Sequence, residues 1–313
     1  KKHPDYLLSL LIRLSWEPEV PIRLNKESTR SDSIAAFRYY KNHFWSDIDL
    51  SDARVVRTPV FHNKLKKYLT EVILQHPDTF VYEAEYLIAR TKNDSDMFKY
   101  IVWFSVYAAE SSKIVGMDKA FVYLAKSYYL AGRCWWASNV VLKTMRERVE
   151  KLERILIGMV APELRMWDTT KNIVSMHAVE ATYLILAFWE YDCGHCKKTL
   201  PVLRDYYHMY KDKGVKVFSV CTKKDMKRWK KYINENNLDF INVNGAYHLQ
   251  FGSQTDNNPY FYDLPYNEVY DIVATPVFFL LDKDKKIIAK RIEPQQMFEI
   301  IDRELMQQKK EPQ

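Results

Sequence analysis

Apolar residues recur along this chain with two different periods. From about Ser31 to Glu153 they return every third or fourth position: Ile34, Phe37, Tyr40 and Phe44 share one helical face, and Phe121, Leu124, Tyr128 and Ala131 share another. Punctuation falls where helices begin and end. Thr58-Pro59 opens one segment, His76-Pro77-Asp78-Thr79 closes it and caps the next, and Asn93-Asp94-Ser95 breaks the chain before Met97 to Glu110. The spacing predicts about five to seven helices in this half. No period near 34 residues runs through it, and the TPR-like fragment Ala125 to Ala137 stands alone, which argues against a helical solenoid. Tyr6 to Leu14 reads as a short amphipathic helix carrying Arg13. Read instead as the remnant of a secretory segment, it lacks a small-residue cleavage site; the absent initial Met leaves a removed leader open.

At Gly158-Met159-Val160-Ala161-Pro162 the period shortens toward alternation, so a domain boundary is expected there, with one domain over 1–157 and a second over 158–313. The second begins with a strand, Tyr183 to Trp189, then a helix from Cys193 to Lys213, a strand Val215 to Cys221, a helix Lys224 to Asn236 and a short strand Phe240 to Val243. That β-α-β-α-β order requires a parallel sheet. A loop-rich aromatic insertion, Asn244 to Tyr270, leads to Val277 to Leu281, a turn at Asp282-Lys283-Asp284-Lys285, Lys286 to Arg291, and a helix after Pro294. Two strands joined by so short a turn are antiparallel, which makes the sheet mixed. The expected fold class is α+β with two domains: an N-terminal all-α domain, then an α/β domain with a mixed sheet.

Composition narrows the functions available. A chain of 313 residues that is 47% hydrophobic and 28% charged can bury a sizeable core and is not a disordered polymer. Only 7 Gly against 22 Tyr, 15 Phe and 8 Trp argues against a turn-rich all-β chain. The net charge of +7 is interspersed, which is little support for a nucleic-acid partner. One stretch differs: Lys197 to Lys231 holds twelve Lys and Arg against three Asp, a local net of +9. It reads either as a solvated helical surface or as a face that steers acidic partners. No run of 18 apolar residues occurs, so no membrane span is expected.

The densest chemistry is Trp189-Glu190-Tyr191-Asp192-Cys193-Gly194-His195-Cys196, where Cys-x-x-Cys follows a buried strand and opens a helix. A thiol there faces unpaired backbone N–H groups and the positive end of the helix dipole, so its thiolate is stabilised below the free value of about 8.5. Cys193 is the expected nucleophile. Cys196, one turn further in, can attack the mixed disulfide and release the substrate as thiol, leaving a Cys193–Cys196 disulfide as the redox centre with no other cofactor. Half a zinc site and an inert disulfide are the alternatives. Zinc needs two more ligands, whereas Cys134 and Cys221 are isolated and read as small buried hydrophobes, and the eight His form no ligand spacing. No phosphate-cradling glycine loop is present.

Phe188-Trp189 before the motif, Pro201 after it and Thr275-Pro276 opening the later apolar strand together resemble the thioredoxin fold, and the Gly158 to Pro162 entry with the αβ insertion resembles its TlpA/ResA-type branch over about residues 158 to 306. The helical half, with Arg57 to Lys64 and Ile114-Val115-Gly116-Met117-Asp118, is similar to the DUF5106 type of domain found in Bacteroidetes proteins, a likeness that names no activity. The resemblance implies that Pro276 is a cis proline beside the cysteines, the alternative being a trans proline opening an edge strand. It also implies that Thr275 offers its backbone to an extended substrate, with Trp189 and Gly194 as further contacts, and that Pro201 kinks the first long helix.

Departures matter as much. Thioredoxins and disulfide isomerases carry a buried acid six residues before the first cysteine, where this chain has Ala187; Glu190 is the candidate for proton transfer through water, against a solvated strand-end role. Asp192 stands where the family usually has Trp. His195 matches the Cys-Gly-His-Cys of the isomerases, and a partly cationic imidazole would favour the reduced pair and raise its potential. The TlpA/ResA likeness leans the other way, toward a reductant. The implied activity is a thiol:disulfide oxidoreductase exchanging disulfides with protein thiols and a separate electron donor, in the periplasm or another extracytoplasmic place. A non-catalytic thioredoxin-fold binding or chaperone-like module is the alternative.

Overall fold

The computed structural model describes residues 6–22, 25, 28–92, 95–248 and 258–308. They form two compact units, Lys1–Arg146 and Glu147–Gln313. The first holds α1 (Leu7–Ser15), α2 (Arg30–His43), α3 (Pro59–Lys67), α4 (Pro77–Ala89), α5 (Asp96–Glu110), α6 (Asp118–Leu124) and the start of α7 (Asn139–Glu153). Local chemistry sets the starts. Thr29 and Asp32 form a reciprocal capping box on α2, Thr58 caps α3 with Pro59 at its first position, His76 and Pro77 do the same for α4, and Ser95 caps α5. Wide π turns extend α3 over Tyr68–Val72 and α6 over Ala125–Leu130.

The apolar core of this unit includes Phe61, Leu65, Leu87, Ile101, Phe121 and Leu124. Buried Glu83 is satisfied by the Lys41 ammonium and the Tyr68 hydroxyl. One expected face is wrong in part. Ile34 and Phe37 are 42% and 45% exposed, while α2 buries Ala36, about a quarter turn or more from each of them; Phe44, at the helix end, is buried as expected. Ala131 is exposed as well, since the π turn over Ala125–Leu130 ends the helix before it.

The second unit is a seven-stranded sheet in the order β2-β1-β5-β4-β3-β6-β7. Its elements are β1 (Arg165–Asp168), β2 (Ile173–Ser175), β3 (Tyr183–Trp189), α8 (Gly194–Tyr210), β4 (Val215–Cys221), α9 (Met226–Glu235), β5 (Ile241–His248), α10 (Tyr266–Val269), β6 (Val277–Asp282), β7 (Ile287–Lys290) and α11 (Pro294–Gln308). The strands β3, β4 and β5 are parallel, while β6 and β7 are antiparallel, so the sheet is mixed. All seven residues of β3 are buried, as a central strand covered on both faces requires. Ile185, Ala187 and Trp189 pack with Leu200, Leu203, Trp229 and Phe298 on one side. Leu184, Leu186 and Phe188 pack with Phe218, Tyr270 and Phe279 on the other.

Two features of this sheet were not anticipated. The β1–β2 hairpin adds an antiparallel neighbour to β5, and that neighbour carries β5 on to His248, so Asn244 and the residues after it begin as strand rather than insertion loop. Of the aromatic insertion, 249–257 lie outside the described residues. Gly158, at φ 90°, lets the entering chain turn onto β7, where its N–H donates to Ile287 O at 2.8 Å.

The core makes a quantitative expectation. Phe279 is wholly buried and its ring meets Phe188 and Tyr270, so Phe279→Ala should cost about 3–5 kcal/mol, read as a lower denaturant midpoint at unchanged slope. A loss under about 1 kcal/mol would contradict this packing.

Candidate active site

The run of β3 ends at Trp189, four residues later Cys193 caps α8, and the two ends of the motif acquire opposite environments. Cys193 is half-buried and its Sγ accepts the Cys196 backbone N–H at 3.2 Å, the bond that a Ser or Asp cap makes at the third helical position. Its S–H donates to the Thr275 carbonyl at 3.4 Å. Partial burial alone would push this thiol up. The hydrogen bonds from Cys196 outweigh it, with contributions from Thr275 and the His195 backbone, and hold the Cys193 thiol below its ordinary value. Cys196 is wholly buried among Trp189, Leu200 and Cys221, and burial first, then the bond to Cys193, pushes it up to about 12. Both are free thiols here.

The Thr275-Pro276 peptide is cis, and the bond to Cys193 sets this loop against the nucleophile. Its approach is fixed upstream by Asp271, at φ 51°, which accepts from Arg148 at 2.8 Å and Arg291 at 2.6 Å. Burial would raise that carboxyl, but the two guanidiniums, Arg291 first, hold it below its usual range. Between Asp271 and Pro276 the loop presents Val273, 90% exposed.

The remaining candidates separate into those near the sulfurs and those that are not. Gly194 is exposed at the start of α8, with open space where a side chain would stand. The His195 imidazole is 60% exposed and its Nε2 lies 3.6 Å from Glu293, so its backbone rather than its ring addresses Cys193. Trp189, expected as a substrate contact, is wholly buried, with its indole N–H donating to Ser219 Oγ at 2.7 Å, so its side chain is turned into the core and away from solvent. The Glu190 carboxylate accepts from Thr222 at 2.9 Å and pairs with Lys223 at 3.2 Å, and among the described residues no hydrogen bond or ion pair carries it to either sulfur. Pro201 lies inside α8.

Lys223 is the functional neighbour that sequence reasoning missed. It also reaches Asp192 at 3.6 Å, so one ammonium is shared between the two carboxylates beside the nucleophile. Finding it needs the register that sets Trp189 opposite Cys221, since only then do the residues after β3 and β4 meet. Ala187 lies between Ser219 and Phe278 in the sheet and is wholly buried, so the position of the usual acid is filled by apolar packing. Cys221 and Cys134 are buried too, and burial pushes each thiol up to about 12. Among the described residues no group of three or more His, Cys, Asp or Glu could hold a metal ion, and no helix is long and apolar enough to cross a membrane.

Residues 157–290 match the AhpC/TSA family, and residues 9–155 match the domain of unknown function DUF5106. The chain is 25% identical over 138 residues to the thiol-disulfide oxidoreductase ResA of Bacillus thuringiensis, covering 44% of this chain and 70% of the relative. It is 32% identical to a domain of a possible thiol-disulfide isomerase from Cytophaga hutchinsonii, covering 50% of this chain and 97% of that one at a TM-score of 0.41. A thioredoxin-like protein from Bacteroides caccae covers 91% of this chain and 96% of its own length, with 19% identity and a TM-score of 0.64, a likeness of fold across both units.

Proposed function

Because the chain belongs to the thioredoxin superfamily, as a ResA-like thiol-disulfide oxidoreductase with an N-terminal DUF5106 domain, we propose that its Cys-Gly-His-Cys pair reduces disulfides of protein substrates in an extracytoplasmic compartment. The observation that carries this reading is the asymmetry of the two sulfurs: one half-buried and held toward its anion by Cys196 N–H, the other sealed in the core. The Cys193 thiolate attacks one sulfur of the substrate cystine; a Cys193–substrate bond forms, the substrate S–S bond breaks, and one substrate sulfur leaves as thiolate and takes up a proton. Cys196 then loses its proton and attacks Cys193 Sγ. The second substrate sulfur leaves and is protonated, and two electrons have passed from the pair, now a disulfide, to the substrate. A dithiol donor returns the pair to its reduced state.

The direction rests on the environment of Cys196 and His195. A resolving thiol that burial keeps protonated is costly to leave as thiolate but stable as half of a disulfide, and the Glu293 carboxylate beside His195 offsets the field of an imidazolium. Both favour the oxidised pair, hence a reductant. Equilibration with glutathione should place the potential below the roughly −180 mV of an isomerase, and the chain should accelerate insulin reduction by dithiothreitol. A potential above that value would reverse the direction. No acceleration of insulin reduction would leave the binding module as the better reading.

A further inference from the structure

Resting on that reading, we propose that the exposed basic face of α9, together with Lys197 of α8, receives an acidic segment flanking the substrate's cystine and brings it to Cys193. The face is built by helical spacing. Trp229 and Ile233 turn α9 inward, which puts Lys227, Arg228 and Lys231 on exposed sides, and Lys224 is exposed just before the Asp225 cap. Arg228 lies 4.7 Å over the ring of Tyr191, two residues before the nucleophile, and the Tyr232 ring sits tilted 5.2 Å from that of Trp189, so this helix borders the thiol turn. Lys197 stands two turns before Arg204 on one flank of α8, and Arg204 donates to Asn236 O at the end of α9, so that flank faces the same helix.

The charge there is largely uncompensated. Lys231 pairs with Glu235 at 3.6 Å, but Lys197, Lys224 and Lys227 make no ion pair among the described residues. Glu190 and Asp192, beside the nucleophile in sequence, share the single ammonium of Lys223, so only about one negative charge is left there against the basic face. A like-charged surface within a Debye length of the reacting sulfur raises the encounter rate of an acidic partner and lowers that of a basic one. No apolar side chain of α9 is exposed, so the helix has nothing to insert into a lipid surface, which favours a protein partner.

The full chain should be tested with two cystine peptides that differ only in acidic or basic flanking residues, each rate divided by that for dithiothreitol, at about 10 mM and about 300 mM salt. At low salt the acidic peptide should react about tenfold faster or more, and the difference should collapse at high salt. In the Lys224→Glu/Lys227→Glu/Lys231→Glu variant the preference should invert, a ratio that partial misfolding does not produce. Equal rates for the two peptides at low salt, with exchange toward neutral hydroxyethyl disulfide intact, would overturn the docking face and leave the oxidoreductase reading standing. No exchange with any of the three disulfides would overturn that reading itself. Sedimentation with phosphatidylserine vesicles without a peptide preference would assign the face to lipid and sink the proposal.

Discussion

Cys193→Ser should leave less than about a thousandth of the wild-type rate of insulin disulfide reduction, while Cys196→Ser should complete the first attack and stop there. The difference follows from geometry. A serine at position 193 can still accept the Cys196 N–H and cap α8, so the helix remains, but its hydroxyl does not ionise near neutral pH and attacks no disulfide. With Cys196 replaced, the mixed disulfide on Cys193 has lost the one sulfur placed a turn away. It should accumulate as a covalent complex, visible on a non-reducing gel and by intact mass. Insulin turnover by Cys193→Ser near the wild-type rate would show that the exposed sulfur is not the nucleophile.

Alkylation at neutral pH should modify Cys193 about a thousandfold more than Cys196. A thiol at about 12 is thiolate in roughly one molecule in 100,000 at pH 7, whereas a free thiol at about 8.5 already exceeds roughly one in a hundred and Cys193 is held on the more ionised side of its ordinary value. The sign is fixed by burial: taking the anion out of water raises Cys196, and the backbone donors at the helix start offset that cost only for Cys193. As pH rises from 6, iodoacetamide labelling at Cys193 should level off before an ordinary thiol would, and label should reach Cys196 only as pH approaches 12. Peptide mapping after a short exposure reads both. A Cys193 rate still climbing in proportion to hydroxide above pH 9 would remove the thiolate argument.

What could be read in the sequence was whatever depended on neighbours along the chain. The strands Tyr183 to Trp189 and Val215 to Cys221 coincide with the observed elements, because continuous apolar runs bounded by turns leave little choice. Thr58, His76 and Ser95 cap the helices expected to follow them, since a cap bonds only two or three residues onward. What was missed depends on contacts distant in sequence. The β1–β2 hairpin is short and only partly buried, so it carries no strong alternation. Lys223 meets Glu190 and Asp192 only through the β3–β4 register. Trp189, taken as a substrate contact beside the motif, is turned inward by the sheet onto Ser219. The rotation of α2 follows what the rest of the unit buries: Ala36 is taken into the core, and Ile34 and Phe37, about a quarter turn or more away from it, stay exposed despite their hydrophobicity.

That only one sulfur of the pair is reachable also bears on oxidative damage. Peroxide that converts Cys193 to a sulfenic acid meets Cys196 one turn away, and condensation of the two expels water and restores the same disulfide that ordinary turnover makes. The sealed partner is out of reach of the oxidant until that moment. Such a pair survives an oxidising burst as a reducible bond instead of ageing into sulfinate, and the dithiol donor that serves catalysis repairs the injury as well.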